Sequence, residues 1–138
     1  MKREKTLWFV LLVFFNTSCN WCRVECDVFP GVSVSFELLN AINENLLEIG
    51  ELDQESIHLT MGSSNDPQPV YFSGNAVVIS FLDGEELYTL VAGDASLDIT
   101  ALINKDDDGD CCASYSLKKL TVDGVEVTPK DGLVTIHL

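Results

Sequence analysis

The chain has 138 residues, which is room for one domain with its own hydrophobic core and too little for a second of ordinary size. Twenty-two Asp and Glu stand against eight Lys and Arg, a formal net charge of −14. A field of that sign repels phosphate backbones and anionic headgroups, which argues against nucleic-acid binding and against electrostatic docking on a membrane.

At the start of the chain Lys2, Arg3 and Lys5 precede an apolar run from Leu7 to Phe15, and Asn16-Thr17-Ser18 follows it. Basic, apolar and small-residue regions in that order make a secretory signal. The run is much shorter than the roughly twenty apolar residues needed to cross a bilayer. The small Ser18 stands directly before Cys19. In this the stretch resembles a bacterial lipobox, whose cysteine is acylated on sulfur and becomes the first residue of the mature chain. The usual pattern has Leu three positions before the cysteine, where this chain has Asn16; Cys22 is the rival, but the bulky Trp21 precedes it. The expected organisation is a signal peptide over 1–18, a lipidated tether over 19–30 and a folded domain over 31–138. Removing residues 1–18 makes the remainder more acidic still, so the lipid at Cys19, and no basic patch, is expected to hold the protein to the membrane.

Once Cys19 is acylated, Cys22, Cys26, Cys111 and Cys112 remain. Four thiols in an exported small domain read as a disulfide framework with three connectivities. A bridge between the neighbours Cys111 and Cys112 closes a strained ring, so pairing between the two ends is favoured. Such a staple closes most of the domain and is worth about 4–5 kcal/mol in the chain-entropy model. Zinc ranks lower, because these four contain no C-x-x-C pair.

From Gly31 onward the hydrophobic period is two. In "VSVSFELL" Val32, Val34, Phe36 and Leu38 share one face, the pattern of a half-buried strand. "NAINENLLEIG" offers the one helical turn. "SIHLTM" returns to alternation through Ile57, Leu59 and Met61, with His58 on the solvent phase. Pro67 and Pro69 lead into "VYF", a short edge strand, since proline donates nothing to a ladder.

"AVVISFLDGEELYTLVAG" reads as a hairpin. A four-residue loop, Asp83 to Glu86, sets Phe81 against Tyr88, Ile79 against Leu90 and Val77 against Ala92, which matches apolar partners. Further on, "NKDDDGD" spaces Asn104, Asp106 and Asp108 like the alternate oxygen ligands of a calcium loop, with Gly109 at the turn and Asp110 following. Tyr115 stands where that loop needs its bidentate glutamate. The same letters describe a solvated acidic loop, the favoured reading, so the expected cofactor is none, with Ca2+ as the alternative.

"KKLTVDGVEVT" centres on Asp123-Gly124, the dipeptide of tight type I′ hairpins, and pairs Val122 with Val125, Thr121 with Glu126 and Leu120 with Val127. Tyr115 and Leu117 occupy the opposite phase from Leu120 and Val122, which predicts a β-bulge near Lys118-Lys119. After the Pro129 to Gly132 turn, "LVTIHL" supplies a last strand. Seven to nine short strands separated by Gly, Asp and Pro predict an all-β fold, an antiparallel β-sandwich, with a small closed barrel as the alternative.

No nucleophile elbow, zinc-protease helix or phosphate loop is present, and His58 and His137 are the sole imidazoles. The expectation is a non-enzymatic protein. "NTSC", "VSFELLN" leading into "ENLLEIG", and "DCCASYSLKKLTVDGVEV" together resemble the small β-sandwich lipoproteins exported by Bacteroidota-type bacteria. That resemblance covers nearly the whole chain and implies an immunoglobulin-like or transthyretin-like sandwich with an envelope or surface role; it brings no catalytic residues. Two functional classes follow. One is a membrane-anchored binding or structural module of the outer membrane or cell surface, meeting a protein or glycan partner. The other is a soluble periplasmic or secreted factor, inhibitor-like or calcium-stabilised. Aromatics gathered on one face, among Trp21, Tyr71, Phe72, Tyr88 and Tyr115, would favour binding.

Overall fold

A computed structural model describes residues 29–63, 66–107 and 112–138. By contact the chain divides into two units, Phe29–Asp106 with Ser114–Leu138, and Met1–Val28 with Asp107–Ala113. The first unit is the β-sandwich. Its ten described strands are β1 (Gly31–Leu39), β2 (Ile57–Met61), β3 (Asp66–Gln68), β4 (Tyr71–Ser73), β5 (Ala76–Leu82), β6 (Gly84–Ala92), β7 (Ala95–Asp106), β8 (Ser114–Val122), β9 (Val125–Glu126) and β10 (Leu133–His137). One 3-10 turn, Gln54–Ser56, precedes β2.

A four-stranded sheet in the order β10-β1-β5-β4 packs on a six-stranded sheet in the order β3-β2-β6-β7-β8-β9. The period-two pattern of the sequence explains the core between them. Val34, Phe36 and Leu38 of β1 and Val77, Ile79 and Phe81 of β5 meet Leu90, Ile99 and Leu120 from the other sheet, all of them fully buried. Each such side chain contributes about 1.5–3 kcal/mol over leaving it in water. All described pairs are antiparallel except β1 with β10, which run parallel with Ser35 opposite Leu133 and Leu39 opposite His137. The close packing of β1 on β5 also explains Gly31. A Cβ at that position would run into the Phe81 carbonyl oxygen, so the pair admits no side chain there.

Several sequence expectations hold. The Asp123-Gly124 hairpin has the predicted register, Val122 opposite Val125 and Thr121 opposite Glu126. Both central residues have positive φ, 49° and 78°, as a type I′ turn requires. The bulge lies at Lys118: Leu102 pairs with Lys119 and Ile103 with Leu117, leaving Lys118 without an opposite number. Tyr71–Ser73 is an edge strand, and Pro67 sits inside a second edge strand, β3, which the sequence reading did not separate. "NAINENLLEIG" forms turns; its helical character is limited to single bonds such as Ile49 N–H to the Asn45 carbonyl, 3.0 Å.

The β5–β6 hairpin is corrected. β5 pairs with β1 and β4, whereas β6 pairs with β2 and β7 in the other sheet. Asp83-Gly84 is therefore a crossover between sheets. Gly84 alone has positive φ there, 104°, so the type I′ geometry of Asp123-Gly124 is not reproduced. Phe81 and Tyr88 do meet, with ring centroids 5.3 Å apart and planes at 83°, but across the core and not across a ladder. Two faces that both point inward satisfy the same apolar matching as two paired strands. The actual tight turns lie on either side, between Ser73 and Ala76 and between Ala92 and Ala95.

Candidate functional site

Among the described residues, the sequence-predicted ones are not gathered in one place. Cys19, Cys22, Cys26 and Cys111, with Trp21, Asp108 and Asp110, lie outside the described residues. Cys112 is half-buried and disulfide-bonded. Asn104 and Asp106 are exposed at the end of β7, in ladder positions opposite Ser116 and Ser114. Their strand is extended there, not wrapped around a centre, and among the described residues no group of three His, Cys, Asp or Glu side chains is arranged to hold a metal. His58 and His137 are both exposed; the His137 ring nitrogen Nδ1 lies 3.3 Å from the Asn40 carbonyl oxygen. The aromatics scatter: Tyr88 is buried, Phe72 and Tyr115 pack against the core, and Tyr71 is 60% exposed at the β4 edge.

What the sequence reading missed is a polar groove on the outer face of the four-stranded sheet. Its volume is about 330 Å³, and its lining includes Ser35, Glu37, Asn45, Glu48, Asn75 and Asp131. Alternation builds the floor, since Ser35 and Glu37 are the outward phase of a strand whose inward phase is Val34, Phe36 and Leu38. The wall is the 40–50 loop, shaped by two asparagines. Asn40 Oδ1 accepts from the Ile42 and Glu44 N–H groups at 3.0 and 2.9 Å, so the chain reverses at once after β1. Asn45, 7% exposed, uses its whole amide: Oδ1 accepts from the Leu47 and Glu48 N–H groups at 3.0 and 3.1 Å, and Nδ2 donates to Glu37 Oε1 and the Asn75 carbonyl at 3.2 and 3.1 Å. Buried polar groups are hydrogen-bonded as a rule, and Asn45 thereby ties the loop to the sheet. The spacing Asn40, Asn45 was the available signal, two side chains suited to local turns. Glu37, Glu48 and Asp131 give the groove a negative character.

A second groove of about 370 Å³ lies on the outer face of the other sheet, lined by Glu85, Thr100, Leu102, Lys119 and Thr121. Where the sheets cross over, the Leu82 N–H donates to Glu86 Oε2 at 2.7 Å, and the Tyr88 hydroxyl lies 3.3 Å from the Ser80 carbonyl and 3.4 Å from Glu86 Oε2. Burial, with the Glu86 charge and hydrogen bond beside it, raises the Tyr88 phenol from 10.0 to about 12.

These features define an all-β sandwich with an acidic groove beside one sheet edge. Compared with family models, with curated proteins and with solved structures, the chain matches none.

Proposed function

We propose that the chain is an exported lipoprotein, anchored through lipid on Cys19, whose sandwich is a non-enzymatic binding module of the outer membrane or cell surface. The observation that carries this reading is the order of residues 2–19: cations, a short apolar run, Ser18 and then Cys19. The first described strand begins at Gly31, and residues 20–30 are proposed as the tether to the acylated position. The acidic surface suits a protein held by lipid and facing water, since its charge supplies no attraction to anionic headgroups. A disulfide joining Cys22 or Cys26 to Cys111 or Cys112 belongs to the same proposal. It draws support from the bonded state of Cys112. The test is fractionation of the native host. The wild type is expected in the membrane fraction and Cys19→Ser in the soluble one; retention of Cys19→Ser in the membrane would overturn the anchor.

A further inference from the structure

We propose that the edge of β10, unpaired among the described residues, takes an extended, lysine- or arginine-bearing peptide segment as an added strand, with its cations directed to the acidic groove on the same sheet face. The inference rests on the binding part of the reading above and is independent of the anchor.

Backbone phase identifies the docking groups. The Ser35 N–H donates to the Gly132 carbonyl and the Leu138 N–H to the Leu39 carbonyl, each at 2.9 Å. In a parallel ladder alternate residues face a given neighbour, so Val134 and Ile136 address β1. Thr135 and His137 turn their N–H and C=O groups away from it. The groups of Leu133 are taken by Lys130, in two bonds of 2.9 and 3.0 Å. What remains is a short open ladder at Thr135 and His137, both exposed.

The other edges are blunted in ways that discourage strand addition. β3 contains Pro67, β4 has three residues, and β9 has two. β10 has five residues and neither proline nor a charged side chain. Charge selects the occupant. Glu37 stands opposite Thr135, and Asp131 lies in the turn that leads into β10; with Glu48 they line the groove, while Lys130 is exposed in the same turn. An added strand runs about 4.8 Å beyond β10, within reach of these carboxylates for a long cationic side chain. A second copy would bring the same acidic groove and the same strong net negative charge, so self-pairing is opposed.

The experiment is hydrogen–deuterium exchange on the exported full chain with two blocked peptides, Lys-Val-Lys-Val-Lys-Val and Glu-Val-Glu-Val-Glu-Val. The lysine peptide is expected to slow exchange across residues 133–138 and not at 66–73 or 125–126. Its affinity should fall at least about tenfold between about 50 and about 500 mM salt. The triple variant Glu37→Gln/Glu48→Gln/Asp131→Asn keeps the side-chain shapes and should lose a similar factor, and Thr135→Pro, which removes an outward N–H, should abolish protection. Should Thr135→Pro fail to fold, the triple variant and the salt series still decide. Equal protection by the glutamate peptide, protection elsewhere, no protection, or a peptide-free dimer already protected over 133–138 each overturns the proposal, and none of them bears on the Cys19 fractionation.

Discussion

The Tyr88 hydroxyl sits where one sheet hands the chain to the other, and its raised pKa ties stability to pH. Well below pH 10 the phenol is protonated in folded and unfolded chains alike. Above it the unfolded chain releases the proton first, since the folded value is about 12, so stability is lost progressively through that window. Tyr88→Phe isolates this contribution. Urea midpoints of the wild type should fall more steeply than those of Tyr88→Phe between pH 10 and pH 12, and parallel curves would remove Tyr88 from the account. Near neutrality the variant should lose no more than about 1 kcal/mol, because the two hydrogen bonds are long. Asn45 shows the opposite case of legibility. Its letter is an ordinary loop residue, and its role in fixing the groove appears only when Glu37 and Asn75, distant in sequence, are brought to it.

At the scale of elements, β8 tests whether a bulge can be read from phase alone. Leu117 and Leu120 differ in alternation, yet Leu120 is buried and Leu117 packs against the core, because the unpaired Lys118 absorbs the difference. Deleting Lys118 would leave Leu117 and Leu120 on one face of a regular strand. That variant should fold with a loss of no more than about 2 kcal/mol, whereas deleting Thr100 from the regular β7 flips half of that strand and should abolish the cooperative transition in circular dichroism. Failure of the Lys118 deletion to fold would show that the bulge is needed for its own sake. Strand periods, this bulge and the Asp123-Gly124 hairpin were all legible because each depends on neighbours in sequence. Sheet membership of β5 and β6 was not. Apolar faces pair equally well side by side or face to face, and the deciding feature was the backbone at Asp83-Gly84. The acidic groove escaped for the same reason, being assembled from β1, a loop, the β4–β5 turn and the approach to β10.

For the molecule as a whole, the proposed staple and the order of the strands govern how the domain is completed. Peptide mapping of the protein from its native host, without reduction, should yield a linked pair holding residue 22 or 26 with residue 111 or 112; links confined within either pair, or free thiols throughout, would remove the staple. Reducing it should lower stability by about 4 kcal/mol on the chain-entropy account. The parallel pairing of β1 with β10 has a consequence in time. β1 is the first strand of the sandwich to be synthesised, and the neighbour that covers one of its edges is the last. Contacts so remote in sequence place folding in the millisecond-to-second range typical of non-local β topologies. A nascent chain that has delivered β1 through β9 therefore still carries an open β1 edge. Until residues 133–137 arrive, that edge must be kept from pairing with another chain, so truncation or delay at this strand should appear as aggregation during synthesis before it appears as instability of the finished protein.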